Sequence, residues 1–313
     1  MNDKHRKEYN FFVNEGFSAI DNNSFSFLQK TYRHCSRFQE KSLTACVAWQ
    51  YAYFGLYKIL HECLCSFFFH EKQNIYCTIH RLQGNTACPL QSIIDTLAWL
   101  CKKAGIPALQ IKFIDENQVN EYKAIRGYAL TVTQSADSSE YAYKTSDLRE
   151  LAGTNNYYKR KRVNKFMNMQ DISVRPMTKS NVRLCLEVEE QWCRTQECVI
   201  CSSYFHCEKK ALEVIVDIFN EETHRGLLMY HDDKPAGHII CEAVNEKISF
   251  VIFGKSLIDD GFLYLIYMMY KDYLCNTEYM NINEDMGHEG LRRFKKLLSH
   301  YELWHKYAVT YSL

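Results

Sequence analysis

The sequence predicts an α/β (α+β) protein built as two domains in tandem, and three observations predict it. At 313 residues the chain is too long for one ordinary core and comfortable for two of about 150 residues each. Its composition, 47% hydrophobic and 24% charged, is that of a globular chain and excludes a largely disordered one. Third, short strand-like runs give way to helix-like runs in a similar order in both halves. With only 4 prolines and 12 glycines, collagen-like and many-turned repeat architectures are excluded.

The C-terminal half has the clearer grammar. Ile172 to Arg175 reads as a strand stopped by Pro176, and Thr178 or Ser180 suits the cap of a helix carrying Val182, Cys185, Leu186, Val188 and Trp192. A second helix is predicted from Glu208 to Asn220, with Leu212, Ile215 and Phe219 at helical spacing. Strands follow at Gly226 to Tyr230, Ala236 to Ala243 and Ile248 to Phe253, separated by polar turns. A loop from Gly254 to Gly261 leads into an apolar helix, Phe262 to Leu274. Then come a strand (Glu278 to Asn283), a helix (Glu289 to Leu298) and a last strand (Leu303 to Thr310).

The N-terminal half repeats part of this pattern. Gly55 to Leu60, Cys63 to Phe69 and Asn74 to Ile79 read as strands. Pro89 opens a helix with Leu90, Ile93, Ile94, Leu97 and Cys101 on one face, and Gly105 stops it. Leu109 to Phe113 is a strand, Glu116 to Ile125 a helix and Tyr128 to Thr133 another strand. The order β-α-α-β-β-β-α-β-α-β of the second half resembles the GNAT (acyl-CoA N-acyltransferase-like) fold. The sequence therefore predicts two GNAT-like domains, each a mixed, mostly antiparallel sheet with flanking helices. The expected boundaries are 1–155 and 172–313, joined by a basic interdomain segment at 156–171.

Charge excludes a global field. The 38 basic and 37 acidic residues nearly cancel, so any polyanion site must be a local patch. The N-terminal Met1-Asn-Asp-Lys-His-Arg-Lys-Glu leads into no apolar run, which predicts no secretory signal and a cytoplasmic protein. No apolar stretch approaches the ~20 residues of a membrane span. In that compartment the 14 cysteines are expected as reduced thiols rather than a disulfide framework. Cys185, Cys193, Cys198, Cys201 and Cys207 crowd together with His206, but their spacing suits zinc poorly and no metal is expected.

Two motifs carry a family resemblance. The first is Tyr141-Ala-Tyr143-Lys-Thr-Ser-Asp147-Leu-Arg-Glu-Leu-Ala-Gly153, followed by Tyr158-Lys159-Arg160-Lys-Arg162-Val-Asn164-Lys165-Phe166. The second is Asn281-Ile-Asn-Glu-Asp285-Met-Gly287-His-Glu-Gly290-Leu-Arg292-Arg-Phe-Lys295, and Trp49 adds a weaker match. Together they resemble the bacterial family of the phosphatidylglycerol lysyltransferase C-terminal domain, over nearly the whole chain. The chain departs from that family's pattern at Lys161 and Arg162, at Ile282 and Asn283, and at Gly254-Lys255.

The resemblance implies a tandem GNAT-like fold and an acyl- or aminoacyl-transferase with its site in the interdomain cleft. The donor is aminoacyl-tRNA or acyl-CoA, the partners a small anionic substrate and, with the first donor, tRNA. Asp285 and Asn281 are the candidate catalytic residues, since they bracket a strand-to-helix turn where a carboxylate can orient an amine or take a proton. Lys159, Arg160, Arg162, Asn164, Tyr141, Tyr143 and Arg292 are the candidate substrate-binding residues, the cations matching an anionic group and the tyrosines lining the cleft. Structural readings stand beside these: Asp285 caps the following helix and pairs with Arg292, the basic run is a solvated linker, and the tyrosines pack the core. Between Gly254 and Gly261, Asp259-Asp260 stands where an acyl-CoA pyrophosphate would approach a helix N-terminus, and carboxylates there repel it. The rival to a transferase is a non-catalytic module that captures a small anion or metabolite on the same fold.

Overall fold

The computed structural model describes residues 1–32, 37–38, 42–70, 74–81, 89–134, 138–195, 207–245, 247–274 and 276–313. Its strands form two seven-stranded sheets. The first holds β1 (Ser18–Ala19), β2 (Gly55–Leu60), β3 (Cys63–Phe68), β4 (Tyr76–Arg81), β5 (Ala108–Asp115), β14 (Lys306–Ser312) and β6 (Leu130–Gln134), in that spatial order. The second holds β8 (Ile172–Pro176), β9 (His224–His231), β10 (Lys234–Ala243), β11 (Ile248–Ser256), β12 (Tyr279–Asn281), β7 (Glu140–Lys144) and β13 (Glu302–Trp304).

The two sheets follow one plan. Among the described residues each has a single parallel pair, β4 with β5 and β11 with β12, and every other pairing is antiparallel. In each, the sixth position is filled by a strand distant in sequence from its neighbours: β14 lies between β5 and β6, and β7 between β12 and β13. The chain accordingly divides into Met1–Ser139 with His305–Leu313, and Glu140–Trp304. One crossing near 156–171 was expected; the structure has a crossing after Ser139 and a second after Trp304. Burial explains the exchange. Tyr141 and Tyr143 of β7 are buried in the second core, while Val309 and Tyr311 of β14 are buried in the first. The last strand, expected unbroken from Leu303 to Thr310, is split for the same reason between β13 and β14.

Residues 156–171 also differ from the linker reading. They contain a helix, Tyr157–Met167, that buries Val163 and Phe166 in the second core and stacks Phe166 on Tyr264 with centroids 5.2 Å apart. Three-residue spacing of two apolar side chains in a charged run gives a narrow stripe, enough to dock a helix.

In the first unit the helix Leu90–Lys103 buries Ile93, Ile94, Leu97 and Cys101 against the sheet. It ends where Gly105 takes φ +75° and the Ile106 N–H donates to the Cys101 carbonyl at 2.9 Å. In the second unit, alternation along β10 sets the layers. Ile239 and Cys241 face the core that holds the apolar helix Gly261–Met268. His238 and Ile240 face the other side, where the helix Leu184–Thr195 packs and the helix Glu208–Ile218 packs on that helix in turn. Gly254 of β11 permits the close approach of Gly261–Met268, because a Cβ there would collide with the Phe262 ring.

Candidate functional site

The parallel ladder of the second sheet is short. Ile248, Ser249 and Phe250 of β11 pair with Tyr279, Met280 and Asn281 of β12; there β12 stops, while β11 continues to Ser256. The chain leaving β12 therefore turns off at the carboxyl end of a parallel pair, the place where open α/β sheets take ligands. The turn is built for its shape. Asn283, Met286 and Gly287 all have left-handed φ, at 65°, 51° and 77°. Asn281 Oδ1 accepts from the Asn283 N–H at 2.8 Å, and the Asp285 carbonyl accepts from the His288 N–H at 2.9 Å. Lys295, 6% exposed, donates from Nζ to the carbonyls of Ile282 at 2.8 Å, Asn283 at 3.0 Å and Glu284. A buried ammonium is held there by carbonyl dipoles.

Asp285 sits at the centre of this turn, 3% exposed. Oδ1 accepts from the Gly287 N–H at 2.9 Å and an Arg292 terminal nitrogen at 3.0 Å. Oδ2 accepts from Arg292 Nε at 2.9 Å and the Tyr141 hydroxyl at 2.8 Å. The bidentate Arg292 fork, more than the other donors, holds the carboxyl far below the ordinary carboxylate range despite its burial. Burial, together with the same carboxylate, pushes the Tyr141 phenol up to about 12. So charged, and with donors on both oxygens, Asp285 is a poor proton acceptor. What it does is fix a guanidinium: Arg292, 37% exposed, carries positive charge at the carboxyl end of β12.

The predicted residues thus fall into two groups. Tyr141, Asn281, Asp285 and Arg292 come together. Asn281 is fully buried, its Nδ2 donating to Glu140 Oε2. Tyr143, on the same strand as Tyr141, is a core residue whose hydroxyl donates to the Lys295 carbonyl at 2.7 Å. The basic helix forms the other group, and much of its charge is spent locally. Arg160 donates to the carbonyls of Leu151 and Gly153, closing the end of the helix Thr145–Glu150. Lys159 Nζ donates to Asn156 Oδ1 at 2.8 Å, and partial burial lowers its pKa. Arg162 reaches Asp260 at 2.8 Å. Asn164 is exposed, and its carbonyl accepts from Asn168.

Sequence reasoning missed Glu140 and gave Lys295 no role. Both are buried ionisable residues, Lys295 inside the second family motif and Glu140 just before the first, and the only signal for either was an ionisable residue where the strand or helix period calls for an apolar one. Cys198, Cys201 and His206 lie outside the described residues; Cys185 and Cys207 are buried thiols and Cys193 is half-buried. Among the described residues no helix is long and apolar enough to cross a membrane.

The family model for the C-terminal domain of phosphatidylglycerol lysyltransferase matches residues 36–301. The chain belongs to that family. No curated protein matches it in sequence. Among solved structures, a conserved protein of unknown function from Bacteroides thetaiotaomicron superposes with a TM-score of 0.85 at 20% identity, covering 95% of this chain and 99% of that one. The C-terminal domain of a protein assigned as a lysylphosphatidylglycerol synthetase from Agrobacterium fabrum has a TM-score of 0.64 at 9% identity, covering 91% of each chain. L-PGS from Bacillus licheniformis has a TM-score of 0.56 at 10% identity, covering 80% of this chain and 81% of that one. At such identities these likenesses speak for the fold, which is a tandem GNAT-like one.

Proposed function

We propose that this protein is an aminoacyl- or acyl-transferase working at the carboxyl end of the β11–β12 pair, with Arg292 binding the anionic part of the donor. The observation that supports this most is the Asp285 carboxylate, whose bidentate hold on Arg292 prepares a fixed cation at the break in the parallel ladder. A guanidinium held along one edge by a carboxylate can offer its outward N–H groups to a phosphate or carboxylate, and its ordering cost is met before the ligand arrives. Membership of the lysyltransferase family supports group transfer as the chemistry.

Between the two donor classes, the loop after β11 favours an aminoacyl ester over acyl-CoA. A pyrophosphate cradle needs outward backbone N–H groups. Here the Leu257 N–H donates to the Ala236 carbonyl at 2.8 Å, Ile258 to Ser256 Oγ at 3.1 Å and Gly261 to the Ile258 carbonyl at 3.0 Å. Asp260, at the N-terminus of the helix that follows, adds negative charge. By contrast, Tyr157 and Tyr158 are 57% and 74% exposed on the basic helix, which suits stacking and phosphate contacts with a tRNA. A tRNA donor would place the reaction in the cytoplasm.

The rival reading, a binding module without turnover, draws on the same carboxylate: Asp285 has no protonation left to offer near neutral pH. The experiment that separates them offers the purified protein labelled lysyl-tRNA, bulk aminoacyl-tRNA or acetyl-CoA, with phosphatidylglycerol vesicles and free amino acids as acceptors. Transfer of label above the protein-free rate from an aminoacyl-tRNA supports the proposal. Saturable binding of a donor with no transfer to any acceptor supports the module.

A further inference from the structure

The device built around Asp285 occurs a second time, in the other unit. β5 is the parallel partner of β4 and stands fifth in its sheet, the place that β12 takes beside β11. Asp115, the last residue of β5, holds an arginine. Its Oδ2 lies 2.6 Å from Arg37 Nε, and its Oδ1 accepts from an Arg37 terminal nitrogen at 3.1 Å. Oδ1 also accepts from the Asn117 N–H at 3.1 Å, two residues on, just as Asp285 Oδ1 accepts from Gly287. Arg37 is 28% exposed and Asp115 22%, so solvent reaches both. A guanidinium carries more N–H donors than one carboxylate can engage, and one fixed in this way can bind a second anion.

The strand leading to Asp115 is shaped to place it there. Among the described residues β4 and β5 share one register pair, Cys77 with Ile111, although β4 runs on to Arg81 and β5 to Asp115. Their carboxyl ends are therefore not zipped together, as those of β11 and β12 are not. In the ladder with β14 a bulge sets Lys112 and Phe113 against Ala308 alone. Phe113 takes φ +58°, a left-handed backbone that a bulky residue adopts only where its surroundings impose it. Leu109 and Ile111 point into the first core, and strict alternation would send Asp115 after them. The extra residue resets the alternation: Ile114 is in that core, and Lys112, Phe113 and Asp115 turn to the opposite face.

On that face two ammonium groups lie against aromatic rings. Lys112 Nζ stands 4.3 Å from the centroid of Tyr76, which meets Phe113 edge-on at 5.7 Å and stacks on Phe68 at 5.1 Å. Lys306, opposite Asp115 in the β5–β14 ladder, brings Nζ to 5.4 Å from the Phe113 centroid. The Arg37 guanidinium in turn lies 5.4 Å from the Phe38 centroid. An aromatic ring attracts a cation without neutralising it. Arg37, Asp115, Lys306, Phe113, Tyr76 and Lys112 thus form one connected cluster, rich in positive charge. Glu116, exposed at the next position of the chain, is the nearest opposing charge in sequence.

We propose that the first unit carries an anion site of its own, in which Arg37, fixed by Asp115, and Lys112 bind a small ligand with two negative charges close together, a diphosphate or a dicarboxylate. Two charges are called for because the cations come from two elements, a guanidinium beyond the end of β5 and an ammonium from within it. Lys112 and Phe113 are half-buried, so a ligand reaching the fork is partly withdrawn from water, where charge-assisted hydrogen bonds strengthen. The two forks belong to different units, and this one requires nothing of the transferase reading.

Titration calorimetry of the whole chain at low salt, with inorganic pyrophosphate and with succinate as probes, tests the site. Arg292→Gln protein is used as the background, so that the fork of the second unit does not contribute. At least one probe should bind there saturably, one per chain, and the tighter of the two tells phosphate from carboxylate. Arg37→Gln and Lys112→Met, each added to that background, should weaken binding about 10-fold or more. Glu116→Gln should bind as tightly or more tightly. Thermal melts identify the variants that fold; Lys112→Met leaves the Asp115 fork intact and decides the question if Arg37→Gln does not fold. No saturable binding of either probe overturns the proposal, as does binding that either substitution leaves unchanged in a folded protein.

Discussion

The turn after β12 and the basic helix Tyr157–Met167 both carry the family's signature residues, yet they use charge in opposite ways. In the turn, Asp285 and Lys295 are buried, and nearly every polar atom has a partner fixed by backbone geometry. On the helix, Arg162 lies more than half exposed against Asp260, itself 38% exposed. Buried charge is costly to leave unpaired, whereas exposed charge is screened by water and salt. The density of charge in a motif therefore says little about where its energy lies. Charge in the turn is tied into backbone hydrogen bonds, and Arg162 of the helix keeps its charge at the surface.

Replacing Asp285 should break this comparison most severely. Asp285→Ala strips the Tyr141 hydroxyl, the Gly287 amide and Arg292 of their acceptor. A loss of about 3 kcal/mol is expected by denaturant titration, the upper range for a hydrogen bond to a charged group, with the Arg292 part reduced by its exposure. pH sharpens the point. Asp285 is depressed in the folded state, so its contribution is complete above the ordinary carboxylate value and is lost as pH falls below it. Wild-type and Asp285→Asn proteins should differ in stability at neutral pH and converge in strong acid.

A smaller effect is expected at Arg160. It closes the carbonyls of Leu151 and Gly153, so Arg160→Ala should cost about 1–2 kcal/mol in stability, with little change in the affinity for a tRNA donor. A large loss of affinity at unchanged melting temperature would return Arg160 to the binding surface. Arg162→Ala should be the mildest, about 0–1 kcal/mol, because its pair with Asp260 is exposed. Here the readout is salt: if the helix meets polyanion, losing Arg162 should shallow the salt dependence of tRNA binding.

Local elements were legible because local chemistry makes them. The alternation in β9, β10 and β11, Pro89 before a helix and Gly105 after it all appear in the structure near their expected places. The strand exchange was not legible. Tyr141, Ala142 and Tyr143 alternate as any strand does, and nothing in that period states which sheet will accept it. The basic helix was obscured because Val163 and Phe166 alone give it an apolar stripe. Of the site, the Asp285–Arg292 pair could be read, since both lie in one motif around a turn. Glu140 could not, because a buried glutamate is indistinguishable in sequence from a solvated one.

The most direct test of the account replaces Arg292 with lysine, which keeps the charge and removes the two-pronged geometry. With lysyl-tRNA as donor, steady-state kinetics of wild-type and Arg292→Lys proteins should show KM for the donor raised about 10-fold, the worth of roughly 1.4 kcal/mol, with kcat largely retained. Melting temperatures measured alongside should stay close, since Asp285 keeps a cationic partner. Unchanged KM and kcat in a folded Arg292→Lys protein would contradict the claim that this guanidinium holds the donor.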